Sequence, residues 1–398
     1  MIAKYSTKIK FFYSIAEIVF WLIIKIIHCF SIRRKENNSR FKILLLEPYQ
    51  MGDVISLSLL LDPLEEKFPD SDIYILCKTA NFFENDKRVK GVFQTDFGWT
   101  TQNENRWKSI KKWFSMLNNL KKIREFNFDI GIETRGDIRS QFILNFICAK
   151  QIIGYNQAIT TDLKNFGFLV NKKVFPNPKY KHRFEWNLYL LTSLGIEENK
   201  LFPVMLPSFR VGDVILNKNN DEKYILIHIG AGWKYKLWKN ENWILLIQKL
   251  LQEYALQIKI IGGEKEKKDL EFIAEKFQYS SRFISQVTDF QQLTFDILHS
   301  EIFICLDSGP QNLASCLNTK VVVLFGPGHS EAFRPYNSAS RFIHKIETFN
   351  CHPCFQQNCQ FSTVSCMTKI TVEDVLYTIS TLDGIYTYKI SPTIFTYI

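Results

Sequence analysis

The 398-residue chain has neither a fixed-period repeat nor a tract of low complexity, which excludes a repeat array. With 46% hydrophobic and 23% charged residues, the chain is also not of the disordered class. Its body also has little excess charge. Of the formal net charge of +10, residues 1–40 supply +6, from eight Lys and Arg against two Glu. The +4 left over for residues 41–398 gives no basic face of the kind that nucleic-acid binding needs. Hydrophobic residues make up 46% of the chain, enough to bury large cores in two domains.

The N-terminal segment lacks an uninterrupted apolar run and a small-residue cleavage site. Residues 11–30 are long enough to span a bilayer, but Glu17 and Lys25 interrupt them. On a helix the polar side chains fall on one narrow stripe: Lys10, Ser14, Glu17, Lys25 and His28. This pattern predicts a hydrophobic amphipathic helix lying in a membrane surface with basic flanks. The basic run at 33–35 disfavours a signal peptide, and a single span with that run on the cytoplasmic side stays an alternative.

From residue 41 onward, short apolar runs alternate with helical patterns, which is typical of an open parallel sheet. In the first half the predicted strands are Lys42–Leu46, Ile73–Cys77, Asp129–Glu133 and Gln151–Gly154, with helices near 54–68, 106–125 and 137–149. In the second half they are Tyr224–Ile229, Ile258–Ile261, Ile302–Leu306 and Val321–Phe325, with helices near 241–254, 264–277, 289–299 and 310–317. The fold class is therefore α/β.

A polar stretch without a sustained period separates the two halves. The sequence thus predicts two Rossmann-like domains, at residues 41–205 and 224–380, whose parallel sheets face a cleft. Residues 206–223 would be the linker. Outside the two domains lie the membrane-associating segment at 1–40 and a tail at 381–398.

Three turns that follow predicted strands contain residues suited to chemistry. In the first, Gly52 lets the backbone approach a ligand, and Asp53 stands at a helix start. Asp53 is either a helix N-cap or a carboxylate placed to take a proton from a hydroxyl group. Outside these three turns, Arg135 and Arg139 follow the third predicted strand and could meet an anionic acceptor or simply begin a solvated helix.

The other two turns lie in the second half. In one, the backbone N–H groups of Gly230, Ala231 and Gly232 can cradle phosphate, with charge from Lys236, although the sequence is neither a Walker A motif nor G-x-G-x-x-G. The last turn runs from Asp307 through Ser308 and Gly309 into a helix, whose N-terminus favours an anion. An ordinary crossover turn is the alternative for this stretch.

The chain has nine cysteines, and four of them are close together: Cys351, Cys354, Cys359 and Cys366. Four such thiols can ligate zinc or an iron–sulfur cluster, or pair as disulfides, but their spacing matches no standard zinc motif. The other five lie in apolar runs and are most simply reduced core residues, which favours the cytoplasm.

The order of these motifs resembles glycosyltransferase family 9, the heptosyltransferases of bacterial surface polysaccharide assembly. Residues 51–54 resemble its L-G-D-V segment, and 228–238 resemble its H-P-G-A-x-W…K-x-W segment. The stretch at 307–314 followed by 324–327 resembles its most specific signature. The resemblance runs from about residue 41 to residue 380.

The resemblance implies a GT-B architecture and an inverting, metal-independent transfer with no cofactor. The donor would be a nucleotide-diphosphate sugar, ADP-heptose among the candidates, and the acceptor a lipid-linked saccharide such as lipopolysaccharide core. Asp53 would be the general base, Lys236 would neutralise the diphosphate, and Asp307 would hold sugar hydroxyls. Ser308 and Gly309 would hold phosphate. The enzyme would be cytoplasmic, peripheral on the inner face of the cell membrane.

The sequence departs from the family pattern at two positions. Asn312 stands where the family usually has His, and a neutral amide can hydrogen-bond but cannot act as an acid. Ile229 replaces the usual Pro. Two alternatives to a transferase remain: a nucleotide-sugar epimerase on a similar fold, or a catalytically silent saccharide-binding or scaffold protein.

Overall fold

The computed structural model describes residues 6–29, 40–80, 82–83, 85–97, 99–100, 110–159, 161, 163–202, 223–347, 349–351, 354, 359–361 and 365–388. The chain divides into two compact units, Met1–Arg210 and Val211–Ile398. Each unit is built on a six-stranded sheet in which all the pairings are parallel. The predicted linker lies largely outside the described residues.

The N-terminal unit begins with a long helix and then alternates strands with helices. Its elements are α1 (Thr7–Cys29), β1 (Lys42–Glu47), α2 (Met51–Ile55), α3 (Ser58–Lys67), β2 (Asp72–Cys77), β3 (Val89–Gln94), α4 (Ile110–Arg124), β4 (Ile130–Glu133), α5 (Ile138–Phe146), β5 (Gln151–Tyr155), β6 (Lys172–Val174), α6 (Arg183–Leu190) and α7 (Glu198–Leu201). The strand order is β3-β2-β1-β4-β5-β6. Strands β1 and β4 are central and almost wholly buried, as expected of apolar runs with helices on both sides.

The C-terminal unit repeats this plan. Its elements are β7 (Tyr224–His228), α8 (Asn240–Glu253), β8 (Gln257–Gly262), α9 (Lys267–Ala274), β9 (Phe283–Val287), α10 (Phe290–His299), β10 (Ile302–Leu306), α11 (Gly309–Cys316), β11 (Val321–Phe325), α12 (Ser330–Phe333), β12 (Arg341–His344) and α13 (Val372–Ser380). The strand order is β12-β11-β10-β7-β8-β9. Because the strands are parallel, the carboxyl ends of β7, β10 and β11 meet at one edge of the sheet.

All eight predicted strands form, but the sequence analysis missed four others. These four are β3, β6, β9 and β12, the two edge strands of each sheet. The helix predicted near 54–68 was wrong in one respect, because Ser56 and Leu57 separate it into α2 and α3. The helix predicted near 106–125 begins at Ile110 within the described residues.

Helix α1 packs on α5 and inserts Ile24 into the core of the N-terminal unit. The stripe predicted from the sequence includes Glu17, and this carboxylate is completely buried against the protein. Apolar side chains of α1 are exposed instead, among them Phe11 and Phe12. Among the described helices, α1 included, none combines the length and the apolar character needed to cross a bilayer.

Candidate active site

Two carboxylates end the central strands of the N-terminal unit. Glu47 is the last residue of β1, Glu133 is the last of β4, and both are completely buried. Burial raises the pKa of Glu133 to about 8. Burial also raises the pKa of Glu47, against the opposing effect of the nearby Arg183 and Arg135 guanidinium groups. This sheet edge therefore concentrates carboxyl groups in a low-dielectric setting.

Asp53 lies beside this pair, in the first turn of α2. The N-cap of α2 is Gln50, so the reading of Asp53 as an ordinary N-cap is wrong. The Nη1 atom of Arg135 donates to Asp53 Oδ1 over 2.7 Å, and Nε of Arg183 lies 3.8 Å from the same oxygen. In the described part of the chain both pairings use Oδ1, which leaves Oδ2 as an acceptor for a substrate hydroxyl.

Arg183 joins Asp53 to Glu47 from the start of α6. Its side chain is only 3% exposed, and its Nη2 atom donates to Glu47 Oε2 over 2.6 Å. Nη1 donates to the carbonyl of Thr134, while buried Nε has no hydrogen-bond partner among the described residues. The guanidinium thus offsets the buried charge of Glu47 and presents Nε toward Asp53.

Arg135 and Arg139 both lie at this edge, and each is paired with a carboxylate. The guanidinium of Arg135 stacks over the Tyr49 ring at 4.1 Å. Arg139 donates from Nε and Nη2 to the two oxygens of Asp137, at 2.9 and 2.7 Å. Gly52 lies next to Asp53 in the first turn of α2. Acceptor binding by Gly52, Arg135 and Arg139 stays a prediction.

The turn that carries Arg135 requires glycine at the next position. Gly136 has φ of +73°, and a Cβ there would lie 1.9 Å from the carbonyl oxygen of Gln157. The buried Glu133 carboxylate accepts the backbone N–H groups of Arg135 and Gly136 at 2.9 and 2.7 Å. These contacts fix the direction in which Arg135 leaves the backbone.

In the C-terminal unit, Lys236 and Asp307 are in direct contact. Asp307 follows β10 and is buried, and Nζ of Lys236 lies 2.7 Å from its Oδ2 atom. A Cβ on Gly328 would lie 1.9 Å from the same oxygen, so only glycine allows the Asp307 carboxylate this position. The structure therefore brings together two of the predicted donor-binding residues, which are 71 positions apart in the sequence.

The helix that follows Asp307 has an uncapped first turn. Ser308 is the N-cap of α11, yet its hydroxyl donates to the carbonyl of Leu306 at 3.1 Å, and within the described part of the chain it makes no capping hydrogen bond to the helix. Gly309 is the first helical residue, and Asn312 lies half-buried one turn further. An uncapped N-terminus at a sheet edge favours a phosphate group.

In the loop after β7, one of the three predicted phosphate-binding N–H groups already has a partner. The N–H of Gly230 already donates to Nδ1 of His228 at 3.2 Å, and a Cβ on Gly230 would meet the Glu266 side chain at 2.7 Å. Burial lowers the pKa of His228 to about 4, which keeps its imidazole neutral. Ala231 is half-buried, and Gly232 is exposed and open. Phosphate binding by these three residues stays a prediction.

Residues 116–365, more than half of the chain, match the sequence pattern of the family described as glycosyltransferase family 9 (heptosyltransferase). The chain belongs to glycosyltransferase family 9. It is therefore a glycosyltransferase. A curated relative, lipooligosaccharide heptosyltransferase 2 of Campylobacter jejuni, is 24% identical over 349 residues, which cover 84% of this chain and 96% of that protein.

Two solved structures of Escherichia coli proteins have the same fold. ADP-heptose LPS heptosyltransferase II matches with a TM-score of 0.63 and 16% identity, over 85% of this chain and 98% of that one. Heptosyltransferase WaaC with ADP-2-deoxy-2-fluoro heptose matches with a TM-score of 0.65 and 17% identity, over 85% and 99%. The two parallel sheets described above thus form a GT-B architecture, as the resemblance implied.

In this family 9 chain the four clustered cysteines line one cavity of about 480 Å³ in the C-terminal unit. The cavity is also lined by Trp233, Tyr235 and Phe349. All four thiols are free, and burial raises the pKa of Cys366 to about 11. Within the described ranges, no group of three or more His, Cys, Asp or Glu side chains is arranged to hold a metal ion.

The sequence analysis of this glycosyltransferase did not assign Glu47, Glu133 or Arg183 to the candidate site, and it interpreted Arg183 as a structural residue at a helix start. A charged residue that closes an otherwise apolar strand is a usable signal, and it marks both glutamates. No local signal marks Arg183, because its partner Glu47 lies 136 residues away. Only the fold shows that this arginine belongs to the same cluster as Asp53.

Proposed function

We propose that the protein is an inverting, metal-independent glycosyltransferase that moves heptose or a related sugar from a nucleotide-diphosphate sugar to a lipid-linked saccharide. The names of the heptosyltransferase relatives support a heptose-type donor and a lipooligosaccharide or lipopolysaccharide acceptor. The WaaC structure with an ADP-heptose analogue makes ADP-heptose the first donor to test.

The observation that carries the proposal is the setting of Asp53. Its carboxylate lies in the first turn of α2 and is oriented by Arg135 through Oδ1, so that Oδ2 can accept a proton. Asp53 takes the proton of the acceptor hydroxyl as the hydroxyl oxygen bonds to the anomeric carbon. The bond from that carbon to the phosphate oxygen breaks, and the configuration inverts in a single displacement.

The leaving group departs as a nucleoside diphosphate with the electron pair of the broken bond. Lys236 and the uncapped first turn of α11, with Ser308 and Gly309, offset its negative charge. Asp307 accepts hydrogen bonds from sugar hydroxyls, and Asn312 supplies a further amide. In the structure the Lys236 ammonium group is paired with the Asp307 carboxylate. The donor diphosphate therefore competes with this carboxylate for the ammonium group.

The proposal places the enzyme in the cytoplasm, where nucleotide sugars are found, and peripherally on the inner face of the cell membrane. A lipid-linked acceptor is confined to a bilayer, so an enzyme that binds the same surface meets it more often. The exposed apolar side chains of α1 and the +6 charge of residues 1–40 support this location.

A transfer assay with Asp53→Asn tests the function. The purified full-length protein is incubated with candidate nucleotide sugars and a lipid-linked saccharide, and transfer and donor binding are both measured. We expect Asp53→Asn to lower kcat by at least about a hundredfold, because the amide cannot take the proton, while the donor Kd stays within about twofold. The control is Asp70→Asn, an exposed carboxylate of the same unit outside the site.

Three outcomes would contradict the proposal. If Asp53→Asn transfers sugar at the rate of the wild type, Asp53 is excluded as the base. Conversion of the donor without any acceptor would indicate an epimerase. Donor binding without turnover of any kind, by the wild type and both variants, would indicate a silent binding protein.

A further inference from the structure

Helix α1 attaches to the N-terminal unit through its polar side chains. Glu17 is completely buried, and its carboxylate accepts the backbone N–H groups of Phe168, at 2.8 Å, and of Phe166. A buried carboxylate is costly unless such donors satisfy it. Because Glu17 is the only acidic residue of α1, the negative charge of the helix lies inside the protein.

Two more residues on this face complete the attachment. The hydroxyl of Tyr13 donates to the carbonyl of Gly136 at 3.3 Å and accepts the N–H of Ile138 at 3.1 Å. One turn beyond Glu17, the Phe20 ring contacts Phe142 of α5 with 4.7 Å between the centroids, and Ile24 is buried in the core. The helix is thus an integral part of the unit and is packed on one side.

The opposite face of α1 is apolar and exposed. Eight large apolar residues on this side, together with Ile9 at the start of the helix, are 39–62% exposed: Phe11, Phe12, Ile15, Ile18, Val19, Leu22, Ile23 and Ile26. Trp21 contacts the ring of Phe168 at 5.7 Å, and Phe166 and Phe168, which are 52% and 48% exposed, stack on each other. The helix and this loop therefore expose apolar side chains next to each other, and such grouped apolar exposure is typical of an interaction surface.

The charge around the patch distinguishes between possible partners. Lys8 and Lys25 on α1 and Lys164 and Lys173 beside the Phe166 loop are exposed. A symmetric contact with a second copy would bring like charges together, which is unfavourable. An anionic bilayer offers both an apolar interior for the patch and negative headgroups for the lysines.

We propose that α1 and the loop at 166–168 form a docking surface for an anionic phospholipid bilayer. Glu17 holds the two parts together, so that helix and loop enter the headgroup region as one surface. The inference rests on the proposed function, since the lipid of the acceptor would lie in the bilayer to which the surface binds. Through Tyr13 the same helix also supports the Gly136 turn that orients Arg135 toward Asp53.

Vesicle co-sedimentation of the full-length protein tests the surface. The probes are phosphatidylcholine vesicles with and without phosphatidylglycerol, and no donor or acceptor is present. The test variant combines Phe11→Gln, Ile15→Gln and Leu22→Gln, three exposed residues on one line of α1. The control combines Leu245→Gln, Phe272→Gln and Tyr377→Gln, which are exposed to a similar or greater degree on helices of the C-terminal unit.

We expect the wild type to bind the anionic vesicles, and the α1 variant to bind them at least about tenfold more weakly, with the control within about twofold. Higher salt should weaken the binding. Equal binding by the α1 variant, or equal binding to neutral vesicles, would overturn the proposal. So would a wild-type dimer that the α1 variant loses, with no vesicle binding by either protein.

A second variant tests the role of Glu17. In Glu17→Gln only one oxygen remains to accept the two N–H groups, so we expect the amides of Phe166 and Phe168 to exchange hydrogen at least about tenfold faster. Unchanged hydrogen exchange of these amides would contradict the attachment.

A transfer assay separates the docking surface from the proposed function. Transfer to a delipidated, water-soluble acceptor should stay at the wild-type level in the α1 variant. If the wild type binds anionic vesicles but transfers no sugar, the proposed function fails and the docking surface stands.

Discussion

At the scale of single residues, the candidate site of each unit contains charges that are already paired before any substrate binds. Lys236 pairs with Asp307, and Asp53 pairs with Arg135. A substrate must therefore replace a protein partner or use the atoms that the pair leaves available. Sequence motifs identify the residues of such pairs but not the pairing, because each pair joins segments that are far apart in the chain.

The first prediction concerns Lys236. Replacing Lys236 with Met removes the ammonium group proposed to neutralise the donor diphosphate, so donor affinity should fall by at least about tenfold. Isothermal titration with ADP-heptose measures this, with Lys239→Met, an exposed lysine of the same loop, as the control. Equal donor affinity of the two variants and the wild type would exclude Lys236 from the donor site.

The second prediction concerns the pH dependence of stability through Glu133. Its pKa is raised from 4.5 to about 8 by burial, so the folded state binds a proton more tightly than the unfolded state does. The stability gained from this proton is therefore present at low pH and is lost as pH rises from about 4.5 to about 8. Glu133→Gln cannot titrate, so its free energy of unfolding relative to the wild type should increase over this range.

Urea unfolding at several pH values from 5 to 8 measures that difference. The comparison is made between wild type and variant at each pH, so that other titrating groups cancel. A difference that stays constant, or one that changes in the opposite direction, would show that Glu133 does not carry a raised pKa in the folded protein.

At the scale of elements, the central strands were predictable and the outer ones were not. Strands β1, β4, β7, β10 and β11 are continuous apolar runs because helices cover both faces of the sheet. The edge strands β3 and β9 have only half-buried and exposed residues, and β12 has a single buried residue, Ile343. Strand β6 has only three residues, so the apolar signal of all four strands is weak. The sequence therefore predicted the fold class but not the edge strands of the two sheets.

The orientation of α1 also required the structure. The sequence identified its polar stripe and its apolar remainder, but a stripe of this kind is equally suited to water and to a protein surface. The contacts of Glu17 show that this part of the stripe faces the protein. Its carboxylate accepts hydrogen bonds from two backbone N–H groups, 149 and 151 residues away in the chain. The periodicity of a helix sequence cannot predict a contact between segments so far apart in the chain.

The third prediction concerns the turn between β4 and α5. Gly136→Ala forces a side chain into a positive-φ position and against the carbonyl of Gln157, which should destabilise the protein by about 1–3 kcal/mol. The displaced turn should also misplace Arg135 and lower kcat. Thermal unfolding and the transfer assay measure the two effects.

Gly232→Ala is the matched control for that variant. Among the described residues, no atom lies within 4 Å of the position that a Cβ on Gly232 would take, and its φ is not positive. Alanine there should therefore leave the melting temperature within about 2 °C of the wild type. Equal melting temperatures for Gly136→Ala and Gly232→Ala would show that the turn does not need glycine.

At the scale of the whole molecule, the chain combines the GT-B fold of family 9 with an N-terminal helix that is part of the first unit. The family and the fold were accessible from the order of short motifs. The candidate site of each unit was only partly accessible. Asp53 in the N-terminal unit, and Lys236 and Asp307 in the C-terminal unit, stand next to turns that the sequence marks. Glu47, Glu133 and Arg183 are brought to the sheet edge beside Asp53 only through folding.

The central claim is a single displacement at the anomeric carbon with Asp53 as the base and without a metal ion. The most direct test is the anomeric configuration of the product, determined by NMR after transfer from ADP-heptose in the presence of EDTA. The account predicts full activity in EDTA and a configuration opposite to that of the donor. A product that retains the donor's configuration, or activity that EDTA abolishes and a divalent cation restores, would contradict it.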